Sequence, residues 1–187
     1  MIRAQLRRTL FALLVLLAAP AATSSAHAQD PAILTVTGAI ESTNRPPFDA
    51  FRDSLFGALD EPFEKAYAFS RADLLALPQV EITVSYPNWP APVAVRGPLL
   101  KDVLTKAGAT GDTVLAQAVD GYSPSLKLSE LDDAAVVLAL EADGTPLSVG
   151  GRGPVWLVYP SDAKGGAAED DSGLTWALFH LKVTSGG

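Results

Sequence analysis

The sequence predicts an α+β domain that is mostly β, with a few short helices. Three observations favour this class. Several segments are short and rich in β-branched residues, residues 80–86 alternate apolar and polar side chains, and Asp143-Gly144 is typical of a tight hairpin turn. Helical features are confined to residues 48–76 and 99–106 and to one short turn.

The first 28 residues combine a basic start, an apolar run over residues 10–19 and the small-residue triplet Ala26-His27-Ala28. This pattern predicts a signal peptide over residues 1–28 and one domain over residues 29–187. A membrane-anchoring helix fits less well, because the apolar run is too short to span a bilayer. We therefore expect an exported, periplasmic protein without direct membrane insertion. Arg7-Arg8 leaves both the general and the twin-arginine export routes open.

The composition excludes several classes of partner and site. The formal net charge is −7, and removal of the arginine-containing leader makes it more negative, so nucleic acid is not an expected partner. The chain has no cysteine, which rules out disulfides and thiolate ligands. His180 is the only histidine beyond the predicted leader. A zinc site of the Cys/His kind therefore lacks ligands, and a Ser-His-Asp triad has a single candidate base.

The first half of the domain begins with a β-branched strand over residues 32–39 and a loop over residues 41–47. Residues 48–76 carry apolar side chains at near-helical spacing, divided at Pro62 and at Ser70, where Ser70 and Asp73 form a capping signal. The alternating segment over residues 80–86 predicts a strand. It leads into a proline-braced loop that carries Trp89. A short strand over 93–95 and a helix over 99–106, closed by Gly108, complete this half.

The second half is predicted to consist mainly of short strands and turns, over the following residues: strand 114–119, a turn at Asp120-Gly121, a helical turn at 129–133, a buried strand at 135–140, the hairpin at Asp143-Gly144, strand 155–159, a polar loop at 160–172 and a closing strand at 176–183. Most of these segments are too short to be helices. This half therefore favours a sheet-based architecture.

Several motifs occur in a characteristic order from about residue 32 to the end of the chain. They are Gly38-Ala39-Ile40, Arg96-Gly97-Pro98-Leu99-Leu100, Asp120-Gly121-Tyr122, Asp143-Gly144-Thr145-Pro146-Leu147 and Gly153-Pro154-Val155-Trp156-Leu157-Val158-Tyr159-Pro160. Together they resemble the oxidoreductase molybdopterin-binding domain. The resemblance implies the sulfite-oxidase fold.

One departure from that family concerns the metal. The resemblance implies that catalytic relatives hold molybdenum through a cysteine near the end of the strand at residues 80–86, where this chain has Ser85 and Tyr86. Hydroxyls are poor substitutes for a thiolate on a metal already bound by dithiolene sulfurs. The chain is most similar to the small, cysteine-free periplasmic branch, some members of which bind a pterin and regulate a membrane-bound cyclic-di-GMP enzyme. The resemblance thus implies a pterin or molybdopterin-like ligand without molybdenum.

A pterin site needs an aromatic surface and a few placed polar groups. Trp89 is the first candidate for the aromatic surface, although it could equally be a lid on the core. Asp120 could accept from a pterin amino group while the ring of Tyr122 lines the pocket. The alternative for Asp120 is a turn residue that bonds its own backbone.

Arg152, flanked by glycines, is the strongest candidate for binding an anionic group, and its alternative is an ordinary surface ion pair. Asn44 could reach the same pocket, and Ser85 is the candidate substitute for the missing metal ligand. Trp156 and Tyr159 are expected in the core, and Trp176 and Phe179 in the closing strand. His180 is expected to face solvent or a hydrogen-bond partner, and the acidic residues 169–171 are expected in a solvated loop.

Three functions remain open from the sequence. The first is a periplasmic pterin receptor that acts through the periplasmic region of a membrane signalling protein. The second is a molybdopterin-dependent oxidoreductase that lacks the usual cysteine ligand. The third is an interaction domain whose pocket is filled by its own side chains. The missing thiolate favours binding over redox catalysis.

Overall fold

A computed structural model describes residues 30–130, 135–160 and 171–185. Strands dominate these residues, with three short α-helices, which confirms the predicted α+β, mostly β class. The predicted signal peptide lies outside the described residues, as do most of the predicted helical turn at 129–133 and most of the predicted loop at 160–172.

The strands are, in chain order, β1 (Ala32–Gly38), β2 (Ala66–Ser70), β3 (Gln79–Val84), β4 (Val93–Pro98), β5 (Thr113–Ala118), β6 (Ser125–Lys127), β7 (Val137–Ala139), β8 (Glu141–Ala142), β9 (Thr145–Pro146), β10 (Trp156–Val158) and β11 (Leu178–Thr184). The α-helices are α1 (Ser54–Ala58), α2 (Arg71–Leu75) and α3 (Leu100–Ala107). A single 3-10 turn covers Leu128–Glu130.

The largest sheet has five strands in the order β2-β1-β11-β5-β6. β1 and β11 are parallel, and the other neighbours are antiparallel. Because side chains alternate along a strand, Leu34 and Val36 of β1 join the main core. Thr35 points to the opposite face, where it accepts a hydrogen bond of 3.0 Å from Arg45. The segment around Arg45 thus covers the second face of this sheet.

The remaining strands form a four-stranded sheet, β3-β4-β8-β9, and a pair, β10-β7. β4 passes very close to β7, since a Cβ on Gly97 would lie 2.0 Å from the carbonyl oxygen of Leu138. The Leu140 amide donates a 2.8 Å hydrogen bond to the Arg96 carbonyl. A second apolar cluster fills the space between these strands and contains Tyr86 and Trp156. Glycine at position 97 is therefore what permits the contact between the two layers.

The prediction of a helical segment over residues 48–76 is wrong in its centre. Only α1 and α2 are α-helical there, and Ala66–Ser70 forms strand β2, which pairs with β1. The capping signal is confirmed: the Ser70 hydroxyl accepts from the Asp73 amide at 3.1 Å, and Asp73 accepts from the Ser70 amide at 2.9 Å. Sheet pairing has overridden local helical spacing between the two short helices.

Other predicted elements are found with shifted ends. Helix α3 ends at Gly108 in the left-handed conformation (φ 66°), as predicted. β4 is longer than the predicted strand 93–95, and the closing strand begins at Leu178 and not at Trp176. Trp176 is half-exposed. The Asp143-Gly144 hairpin is present, with positive φ at both residues.

His180 is fully buried in β11, so the alternative that it faces solvent is wrong. Its Nδ1 lies 2.9 Å from Gln117 Oε1, and its Nε2 lies 2.7 Å from the Thr37 hydroxyl. Since Gln117 Oε1 can only accept, Nδ1 carries the proton and Nε2 accepts from Thr37. Burial, aided by the Lys182 charge, lowers the pKa of His180 to about 4. The imidazole is therefore neutral at physiological pH.

Within the described part of the chain, the helices are all too short or too polar to cross a membrane.

Candidate ligand-binding site

The loop after β3 holds Trp89 in a fixed position. Tyr86 is buried, and its hydroxyl donates a 2.8 Å hydrogen bond to the Tyr159 carbonyl. The Trp89 amide in turn donates to the Tyr86 carbonyl at 2.9 Å. Pro87 and Pro90 flank this turn and restrict its backbone further. The loop therefore presents Trp89 from a braced turn, as the prolines predicted.

The indole of Trp89 packs on a second indole. The ring centroids of Trp89 and Trp156 are 5.5 Å apart, and the planes are tilted by 37°. Tyr86 packs on Trp89 at 5.1 Å. Trp156 comes from β10 and is only 1% exposed, yet its Nε1–H is buried without a hydrogen-bond partner among the described residues. Trp156 is therefore a buried support on which Trp89 packs.

Arg152 covers both indoles. Its guanidinium carbon lies 4.5 Å from the Trp156 ring centroid and 5.5 Å from that of Trp89, which is within the range of cation–π attraction. Among the described residues no acidic side chain forms an ion pair with Arg152. Of the flanking glycines, Gly150 is open, whereas a Cβ on Gly153 would lie 2.6 Å from Leu147. Gly153 therefore serves packing.

Asp171 closes this site from another part of the chain. One carboxylate oxygen accepts from Asn88 Nδ2 at 2.9 Å, and the other accepts from Trp89 Nε1 at 2.8 Å. The hydrogen bonds from Asn88 and Trp89, together with the Arg152 charge, lower the pKa of Asp171. The carboxylate is thus held anionic next to a guanidinium, with lone pairs to spare.

These groups surround a pocket of about 370 Å³, named here the Trp89 pocket. Its lining consists of Asn88, Trp89, Pro90, Val93, Ala142, Arg152, Trp156 and Asp171. The pocket joins an aromatic wall, a cation and an anion, which is the combination a polar planar ligand requires.

Asp120 and Tyr122 lie in a neighbouring pocket of about 330 Å³, named here the Tyr122 pocket. Its lining consists of Ala118, Asp120, Tyr122, Asp171, Ser172, Leu174 and Trp176. The Tyr122 amide donates to Asp120 Oδ1 at 3.0 Å, so Asp120 does bond its own turn. The Tyr122 hydroxyl donates to the Ser172 carbonyl. The structure thus places Asp120 and Tyr122 in one pocket and Trp89 and Arg152 in another, and the two pockets share Asp171.

Asn44 and Ser85 are not brought to either pocket. The Asn44 amide donates to the Ala68 carbonyl at 2.8 Å and accepts from the Ala68 amide at 2.6 Å, so it extends the edge of β2. Ser85 follows β3 and is exposed, outside the linings of both pockets.

The donor groups present do not fit a protein-coordinated molybdenum. The chain has no cysteine, and the described residues contain no group of three or more His, Asp or Glu side chains that could hold a metal ion. At the end of β3, Ser85 is exposed and the Tyr86 hydroxyl donates to Tyr159. Neither side chain supplies the soft ligand that such a metal prefers.

Residues 91–165 match the family model of the oxidoreductase molybdopterin-binding domain. Over this segment the chain is similar to that family. The match includes Asp120, Tyr122, Arg152 and Trp156 of the two pockets. Trp89 lies just before the matched segment of the molybdopterin-binding domain, and Asp171 lies just after it. A comparison with curated proteins gives no match.

Two residues of the Trp89 pocket were missed by sequence reasoning. Asp171 was assigned to a solvated acidic loop, and Trp156 was assigned to the core alone. Trp156 does belong to the second apolar cluster but also forms the pocket floor beneath Arg152. No local signal marks Asp171, because its partners Asn88 and Trp89 are 83 and 82 positions away in the sequence.

Proposed function

We propose that this protein is a periplasmic pterin-binding protein that performs no redox chemistry and reports the bound pterin to a membrane-bound cyclic-di-GMP signalling enzyme. The Trp89 pocket is the proposed binding site. The observation that carries the proposal is the arrangement of Trp89, Arg152 and Asp171 around one pocket in a chain whose residues 91–165 match the molybdopterin-binding family model.

The polar groups of the pocket complement a pterin edge. A pterin presents a ring N–H and an amino group side by side, next to a carbonyl acceptor. A carboxylate has about four lone-pair positions, and two of those on Asp171 are used by Asn88 and Trp89. The remaining positions can accept from the donor edge of the ligand. Arg152 supplies donors for the acceptors of the ligand.

The aromatic groups favour a flat ring. Trp89 is partly exposed and offers an indole on which a bicyclic ligand can stack. Arg152 is exposed and free of an ion pair among described residues, so its planar guanidinium can stack or pair with an anionic substituent.

The metal is not part of the proposal, because the chain lacks a thiolate. A molybdopterin without protein coordination of its metal would use the same pocket, and an oxidoreductase of that kind is the alternative outcome of metal analysis. The regulatory role rests on the predicted leader and on the resemblance to the small, cysteine-free periplasmic branch.

A pterin titration followed by NMR tests the binding site. The chain has three tryptophans, so each indole N–H signal reports one location. Pterin should shift the signals of Trp89 and Trp156. Trp89→Ala should weaken binding by roughly fivefold or more, because stacking on one aromatic ring is worth about 1–3 kcal/mol. Phe51→Ala, at an exposed aromatic residue that lines neither pocket, is the control and should keep the wild-type affinity. Unchanged affinity in Trp89→Ala would contradict the assignment.

Arg152→Ala provides a second test, with Arg96→Ala as its control. Arg96 is an exposed arginine that pairs with Glu141 at 3.3 Å, away from the Trp89 pocket. Only Arg152→Ala should weaken pterin binding. Equal effects of the two substitutions would indicate a general charge effect and would contradict a role for Arg152.

The regulatory and cellular parts need a cellular assay. In the native organism, the chain should be found in the periplasmic fraction. Deletion of its gene should change the cyclic-di-GMP level. Wild type should restore that level and Trp89→Ala should not. Restoration by Trp89→Ala would separate signalling from pterin binding and contradict the proposal.

A further inference from the structure

The Tyr122 pocket has a chemical character of its own. Two aromatic side chains on its lining are largely open, with Tyr122 45% and Trp176 50% exposed. Large aromatic residues at a pocket wall offer π faces to a ligand. Leu174 and Ala118 contribute apolar surface at the same place.

The Tyr122 pocket is acidic, so it does not suit an anionic ligand. Its lining contains the carboxylates Asp120 and Asp171, and among the described residues no Lys, Arg or His lines it. Hydrogen bonds from Asn88 and Trp89, the main causes, lower the pKa of Asp171, which keeps that carboxylate ionised. The Trp89 pocket, in contrast, contains Arg152.

The side chains are already held in place without a ligand. The Tyr122 hydroxyl donates to the Ser172 carbonyl, and its amide donates to Asp120. Asp171 is fixed by Asn88 and Trp89. Little ordering is needed when a ligand enters, and this lowers the free-energy cost of binding.

We propose that the Tyr122 pocket is a second binding site, specific for a small organic ammonium compound. Cations are attracted to aromatic faces, most strongly to that of tryptophan. The carboxylates add Coulomb attraction, which the excess of acidic over basic residues in the chain reinforces. The ammonium group is expected to lie against Trp176, near Asp120.

Choline and its neutral carbon isostere, in which carbon replaces the charged nitrogen, test this proposal by NMR. Choline should shift the Trp176 indole signal with a dissociation constant on the order of 1 mM, and the isostere should bind at least about fivefold more weakly. Added salt should weaken only the binding of choline. Equal binding of both compounds, or no shift of Trp176, would overturn the proposal.

Two substitutions locate the site. Asp120→Asn removes the charge but keeps an oxygen to accept from the Tyr122 amide, so the turn should survive. We expect a loss of about fivefold in choline affinity for Asp120→Asn and for Trp176→Ala. Glu64→Gln, at an exposed carboxylate outside this pocket, makes the same charge change and should have no effect. An equal loss of choline affinity in Glu64→Gln would show that binding depends only on the net charge of the protein. That result would refute the proposed site.

The choline and pterin tests have separate readouts, although the two pockets share Asp171. Choline is read at Trp176 in the ligand-free protein, whereas pterin is read at Trp89 and Trp156. Either proposal can therefore fail while the other holds.

Discussion

Replacing His180 with glutamine should make the free energy of unfolding less dependent on pH, because the substitution removes a buried group that takes up a proton on unfolding. His180 is buried against Phe56, with ring centroids 5.0 Å apart, and it bonds Thr37 and Gln117. Glutamine in His180→Gln is neutral at all relevant pH values and retains a donor and an acceptor. The substitution therefore keeps polar partners while it deletes the titrating group.

The magnitude follows from the pKa of His180, which burial lowers from 6.5 to about 4. Because the folded state binds the proton less tightly, His180 contributes its full stability above pH 6.5. That contribution decreases as the pH falls below 6.5 and is lost once the pH has fallen through about 4. With 1.36 kcal/mol per pKa unit, the wild-type protein should lose about 2.5 kcal/mol through this group between about pH 7.5 and about pH 4.5.

Urea unfolding of both proteins, followed by tryptophan fluorescence at these two pH values, measures the effect. Carboxylate contributions are shared by the two proteins and cancel in the comparison. The pH-dependent loss should be smaller in His180→Gln by about 2.5 kcal/mol. An equal loss of unfolding free energy in both proteins would contradict the conclusion that His180 is buried and neutral.

Two further predictions concern the contacts that build the pockets. Asp171→Ala should lower the unfolding free energy by about 1–2 kcal/mol in urea titrations, because the side chains of Asn88 and Trp89 lose their acceptor. Since the pKa of Asp171 is lowered, this difference should be full above pH 3.8 and shrink below it; a difference constant with pH would contradict the role of the carboxylate. Gly97→Ala should destabilise by about 1–3 kcal/mol through its clash with Leu138, whereas Gly151→Ala, whose Cβ would lie 3.7 Å from the nearest atom, should be close to neutral.

Structural elements that are formed by residues close together in the sequence could be predicted from local sequence patterns. The Ser70 and Asp73 capping box, the Gly108 helix end and the Asp143-Gly144 hairpin all depend on residues a few positions apart. β2 was missed because its short sequence gains strand character from pairing with β1. That pairing brings together segments distant in the sequence, which local patterning does not reveal.

The candidate site shows the same division. The proline bracing of the loop that carries Trp89 could be predicted from its neighbours in the sequence, but the choice between a binding surface and a lid on the core could not. The separation of Trp89 and Arg152 from Asp120 and Tyr122 could not, because Asp171 forms the shared wall and reaches both pockets only through the tertiary fold. The place of Arg152 over two indoles likewise depends on β10 packing beneath the loop after β3.

The central claim is that the domain binds a pterin without molybdenum. The most direct measurement is metal analysis and mass spectrometry of the protein purified from its native organism, with fluorescence of the released ligand. We predict a fluorescent pterin without stoichiometric molybdenum. Molybdenum bound in a one-to-one ratio with the chain would contradict the claim.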